Sequence, residues 1–198
     1  MRLAIALAGL VALSGCQISL PGPGDTPTRE VREIGLRGGR VTVAAPEGYC
    51  VDTASSNRSQ GFALIVPCDR LMKRAGRSDD AILTVQVGRP GSAAVSGSET
   101  DLARLLTEPS GRSILARSGD ASRVRNVDAS SAPGVVTVWF TDMSDPLGQG
   151  ATHRAFFDID GRLVTLSVRG LIADGLSKSR SDALLDELTA ATLSANPG

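Results

Sequence analysis

Thr152-His-Arg-Ala-Phe-Phe-Asp158-Ile-Asp160-Gly161-Arg162-Leu-Val-Thr-Leu-Ser-Val168 reads as two strands either side of a tight turn. Asp-Gly tolerates the left-handed backbone that a short hairpin needs, and polar and apolar residues alternate on the way out of it. Thr152 to Phe157 and Arg162 to Val168 are therefore a predicted hairpin, joined through Asp158 to Gly161. Just upstream, Gly134-Val-Val-Thr-Val-Trp-Phe140 predicts another strand, and Asp142 to Gly150, with Pro146, Gly148 and Gly150, a turn-rich loop. Downstream, Ser179-x-x-Asp182 has the form of a capping box. Leu184, Leu185, Leu188, Ala191 and Leu193 are assigned to one face of the helix it opens, which stops at Asn196-Pro197-Gly198. The last third thus predicts antiparallel strands with an amphipathic helix laid on them.

The earlier chain extends this pattern. Order is expected from about Val31. Arg40 to Ala45 reads as a strand stopped by Pro46, Tyr49 to Asp52 as a second short strand, and Thr53 to Gly61 as a loop. Phe62 to Val66 is a continuous apolar run between Gly61 and Pro67, predicting a strand covered on both faces. Leu71 to Asp80 reads as an exposed connector, Ala81 to Val87 as a strand, and Ser92 to Ser98 as a loop. Glu99 to Thr107 places Leu102, Leu105 and Leu106 at helical spacing before Pro109, and Gly111 to Ser118 is compatible with a further helical turn. Ser122 to Val127, with only two apolar residues, suits an edge strand. Hairpins dominate and strict strand–helix–strand alternation is absent, so the fold class is α+β: an antiparallel sheet packed by the C-terminal helix and a second helix.

The N-terminus decides the compartment. Arg2 and the apolar run Leu3 to Ala12 have the form of a secretory leader, and the run is shorter than the ~20 residues a membrane span requires. It ends in Leu13-Ser14-Gly15-Cys16, which resembles the lipobox of bacterial lipoproteins. The resemblance implies cleavage before Cys16, which then carries the acyl chains that hold the protein to a membrane. Residues 1–15 are then a signal peptide, 16–30 a Pro/Gly-rich tether and 31–198 a single domain. Gln17 follows Cys16 in place of Asp, which by the sorting rule of such lipoproteins implies the outer membrane, with the domain facing the periplasm.

With Cys16 acylated, Cys50 and Cys68 remain in a compartment that permits oxidation. They read as a disulfide, worth roughly 3 kcal/mol by chain entropy. Two free thiols or half of a metal site are the alternatives, and a metal site lacks partners because His153 is the only histidine and no Cys-x-x-Cys exists.

The order Val41-Thr-Val-x-x-Pro46-x-Gly48-Tyr49, long connector, helix, strand, Asp-Gly hairpin with Leu163-Val-Thr-Leu166, and closing helix near Leu193-Ser194 resembles the PsbP-like fold group. That group includes several bacterial envelope lipoproteins. Its members act mostly in assembly, stability or binding, so the resemblance implies a non-enzyme. Pro46-x-Gly48-Tyr49-Cys50-Val51-Asp52, with Phe62 and Cys68, also resembles a set of uncharacterised proteobacterial envelope proteins.

Catalytic constellations are thin. A Ser-His-Asp set would have to use His153, which falls on a predicted strand on the face of Ala155 and Phe157, and no Gly-x-Ser-x-Gly elbow exists. Asp79/Asp80 sit in a connector and Asp158/Asp160 at a hairpin turn, where Asp serves turn geometry. The Gly-rich 146–150 stretch lacks the Gly-Lys-Ser/Thr of a phosphate loop. Balanced charge, 21 basic against 21 acidic residues, argues against a nucleic-acid partner. Of the basic residues two are Lys and the rest Arg, a bias that composition of the genome explains as well as ligand binding does. No enzyme activity, cofactor or metal is expected. The candidate contact residues are Trp139, Asp142, Gln149 and His153, in and beside the 142–150 loop. Two functions follow: an interaction or assembly factor for an envelope protein partner of unknown identity, or a small-ligand binder with a pocket between sheet and helix.

Overall fold

The computed structural model describes residues 29–75, 81–144, 150–171 and 176–197. Along the chain lie β1 (Glu33–Leu36), β2 (Val41–Ala44), β3 (Tyr49–Asn57), β4 (Phe62–Pro67), the one-turn α1 (Cys68–Leu71) and β5 (Ala81–Val87). Then come α2 (Glu99–Thr107), α3 (Pro109–Leu115), a 3-10 turn at Ala121–Arg123, β6 (Val124–Ala132), β7 (Val135–Asp142), β8 (Ala151–Ile159), β9 (Arg162–Gly170) and α4 (Lys178–Ser194).

β1 and β2 form a small antiparallel ribbon, and the other strands one sheet in the order β3-β4-β5-β9-β8-β7-β6. Every pairing in it is antiparallel. It is therefore two meanders joined where β5 meets β9. The predicted hairpin is built as its sequence demands: Ile159 faces Arg162, and Asp160 and Gly161 take φ of 49° and 66°. At the β6 edge the ladder shifts register between Arg125 and Asp128, with Asn126 left-handed at φ 54°.

Strand alternation gives the sheet two buried faces. On one, Leu184, Leu185 and Leu188 of α4 join Leu166, Val168 and Leu83, with Val41 and Val43 of the ribbon in the same core. On the other, Leu106 of α2 and Leu115 of α3 meet Val136, Val138, Phe140 and Phe156. The α+β class is thus realised with helices on both faces. α2 and α3 cross closely because Gly111 has no side chain: a Cβ there would lie 2.0 Å from the Leu105 carbonyl oxygen. Pro109 does more than end α2, for it opens α3 at a position where its missing N–H costs nothing.

Several boundaries depart from expectation. β1 has only Ile34 and Leu36 as buried apolar residues, too short a signal for sequence periodicity. β3 continues through Thr53 to Asn57, expected as loop; this is a sheet edge, where polar residues are the norm. β4 is not covered equally on both faces: Ala63, Ile65 and Pro67 are buried and Phe62, Leu64 and Val66 only half so. Helix α4 is capped by Ser177, not Ser179, the Ser177 hydroxyl accepting from the Arg180 N–H at 3.2 Å. Its last turn buries Thr192 and leaves Leu193 40 % exposed. Asn196 then ties the terminus to the ribbon, accepting from the Thr42 N–H and donating to the Thr42 and Thr192 carbonyls.

Candidate functional site

The four expected contact residues do not form one surface. Trp139 pairs directly with His153 across β7 and β8, so both emerge on the α4 face. Asp142, an odd number of residues further along β7, emerges on the α3 face. Gln149 lies outside the described residues, as do Cys16, Asp79 and Asp80.

On the α4 face, His153 is 8 % exposed and meets the half-buried Trp139 edge to face, ring centres 5.7 Å apart. Its Nδ1 is 2.9 Å from Asp182 Oδ1, in ion-pair range but off the direction of a hydrogen bond. Lys178 Nζ sits 3.0 Å from Asp182 Oδ2 and 5.1 Å from the centre of the Trp139 ring. Burial holds the imidazole below its ordinary 6.5; Asp182 pulls the other way and Lys178 reinforces burial. Among the described residues His153 Nδ1 has no hydrogen-bond partner. The cluster locks the start of α4 to the sheet.

On the opposite face, a pocket of about 330 Å³ opens between the C-terminal end of α3 and the sheet. Thr84, Ser167, Thr152 and Arg154 from β5, β9 and β8 form its floor, and Phe140 of β7 one side. Ile114 and Leu115 overhang it, and Ile114 is 61 % exposed, an apolar lip. Arg154 lies along the floor: its Nε donates to Ser167 Oγ at 2.9 Å and its guanidinium stacks 5.1 Å from the Phe140 ring centre. Burial lowers the Arg154 pKa to about 10, partly opposed by Asp142, so the group remains a cation at neutral pH. Its two Nη groups have no hydrogen-bond acceptor among the described residues. Arg117 and Arg169 also line the pocket.

Asp142, at the end of the pocket, is 6 % exposed. Burial alone would raise its pKa, but donation from the Arg117 N–H (2.7 Å), the Ser144 N–H (2.9 Å) and the Ser144 hydroxyl (2.6 Å) outweighs it, and the carboxyl is held below its ordinary range. Asp142 thus fixes the segment after α3 against the sheet, which sets the height of the overhang.

The other acidic and cysteine candidates take structural parts. Asp158 accepts from three successive backbone N–H groups, of Ala94, Val95 and Ser96, and so anchors the 92–98 loop. Asp160 pairs with Arg162 across the hairpin turn. Cys50 in β3 and Cys68 at the start of α1 are bonded, their Cα atoms 4.9 Å apart. Glu30 comes within 4.8 Å of both sulfurs, yet sulfurs bonded to each other offer no thiolate, and one carboxylate is far from the four ligands zinc takes.

Sequence reading passed over Arg154 and Ile114. Arg154 had a signal, a cation amid the apolar residues of a central strand on the face opposite His153, but it was lost in an arginine-rich composition. Ile114 had none, because its place depends on where α3 crosses the sheet.

No protein-family profile matches the chain, and no curated protein matches it. Among solved structures it is similar to a mutant of the protein Mog1, with 14 % identity over 80 % of this chain and 93 % of that one, at a TM-score of 0.48. The Ran-binding protein Mog1p of Saccharomyces cerevisiae gives 14 % identity, 80 % and 92 % coverage and 0.48. Cyanobacterial PsbP (CyanoP) of Synechocystis sp. PCC 6803 gives 13 %, 89 % and 98 % coverage, and 0.43. At this level the likeness is one of α+β architecture and carries neither activity nor partner.

Proposed function

We propose that the chain is a lipid-anchored envelope protein, held by Cys16 at the periplasmic side of the outer membrane, that works by binding a small molecule and not by catalysis. The observation that carries this is the pocket between α3 and the sheet, 330 Å³ in volume, in which a cation and hydroxyls lie under an apolar lip. That volume is at the small end of ligand sites, about 300–1,000 Å³, and suits a metabolite better than a macromolecular segment. No helix among the described residues is long and apolar enough to cross a membrane; in this reading the acyl chains on Cys16 make the attachment. The test is native mass spectrometry of the full chain released gently from its own envelope. A discrete added mass of a few hundred daltons, lost on denaturation, is expected. An unliganded chain that instead crosslinks near-stoichiometrically to one envelope protein would overturn the reading in favour of an assembly factor.

A further inference from the structure

We infer that the ligand of this pocket is a small monocarboxylate with an apolar body, its carboxylate held by Arg154; this rests on the binding reading above and names its chemistry. Arg154 is placed by the protein before any ligand arrives. Ser167 Oγ takes its Nε–H, and Phe140 supports one face of the guanidinium. Both Nη groups are left, side by side, with no acceptor among the described residues. Two parallel N–H donors on a planar cation match the two oxygens of a carboxylate, a bidentate geometry a lysine cannot offer. Fixing the side chain in advance removes most of the rotamer entropy that binding would otherwise cost.

The surroundings select the rest of the molecule. Among the described residues Asp142 is the anion near Arg154, and three donors already engage it, whereas Arg117 adds positive charge at the pocket. Charge therefore favours an incoming anion. Beside its polar floor the pocket also presents Ile114, Leu115 and Phe140, apolar groups that a tetrahedral dianion would leave without a partner. An exposed isoleucine at the lip gains most from covering an alkyl or aryl group. Thr84 and Thr152 can accept or donate to a second polar atom on the ligand.

Titration calorimetry on the purified full chain tests this with hexanoate, its neutral isostere hexanamide, and inorganic phosphate. Hexanoate is expected to bind at least tenfold more tightly than hexanamide. Arg154→Met, which keeps the length but removes the fork, should abolish that preference, while Arg154→Lys retains part of it. Because Arg154 is partly buried and its loss could disturb folding, Ile114→Asp provides a second reading: on an exposed site it should leave unfolding unchanged and weaken hexanoate at least fivefold. Equal binding of acid and amide, insensitive to Arg154→Met, would overturn the inference and leave the pocket reading intact. Phosphate binding more tightly than hexanoate, with the same Arg154 dependence, would overturn the carboxylate and its apolar body. Absence of binding by either organic probe at millimolar concentration would also overturn it, while the bound mass sought by native spectrometry judges the pocket independently.

Discussion

A neutral histidine packed edge to face against Trp139 makes stability depend on pH. Burial holds the His153 pKa below its ordinary 6.5, so the unfolded chain binds a proton more readily than the folded one. The sign follows: the stabilisation is complete above about pH 6.5, the unfolded value, and is lost as pH falls through the lower folded value. Between pH 7.5 and 5.5 the urea midpoint of the wild type should fall, and His153→Gln, which does not titrate, should fall less. Identical slopes for the two proteins would show that Asp182, 2.9 Å away, compensates the proton fully. The residue scale is also where the sequence was least informative. Alternation correctly gives the face of His153 relative to Phe157, but the partner on that face, Asp182, is supplied by a helix whose first residue, Lys178, lies a full strand and a connection away.

The elements test the packing directly. Helices α2 and α3 are separated by the thickness of a glycine, since a Cβ on Gly111 would meet the Leu105 carbonyl carbon at 2.5 Å and the Leu106 Cα at 2.8 Å. These are backbone atoms that cannot swing away, so Gly111→Ala forces the helices apart and should cost about 1–3 kcal/mol. Chemical denaturation measures it, and a change under about 0.5 kcal/mol would mean that the two helices yield to the extra methyl group. The disulfide works at the other end of the sheet, joining β3 to the residue after β4 over a separation of 18. Cys50→Ala with Cys68→Ala should lose about 2–4 kcal/mol, and addition of reductant to the wild type should reproduce most of that loss. A melting temperature indifferent to both would show that the β3–β4 hairpin closes without the bond. Elements with strong local chemistry were legible: the Asp-Gly turn, the apolar Ala81–Val87 strand and the leucines of α4. Elements whose reason is tertiary were not. β1 has two apolar residues and exists because β2 and the core of α4 lie beside it. The polar half of β3 is strand because its edge position asks nothing of its side chains.

At the scale of the molecule, the division of labour between the two sheet faces explains why a pocket exists where it does. α4 runs for 17 residues over the central strands and, with the β1–β2 ribbon, covers the core on its face. On the other face α3 ends at Leu115, above β7 to β9, and a cavity lies beyond its last turn. No local pattern encodes where that turn ends, so the place of the cavity was not legible in the sequence. The described chain begins at Arg29, and its first strand at Glu33. If Cys16 carries the acyl chains, their thioether and amide are the whole attachment, and a single hydrocarbon chain gives only marginal, reversible binding. A variant in which an ordinary cleaved secretory leader replaces residues 1–16 should therefore move quantitatively into the soluble fraction after an alkaline carbonate wash while leaving its unfolding curve unchanged. Mass spectrometry of the wild-type N-terminal peptide should find it beginning at Cys16 with multiple acyl groups. A variant that still sediments with membranes would mean that some part of the folded domain, and not the lipid, holds it there.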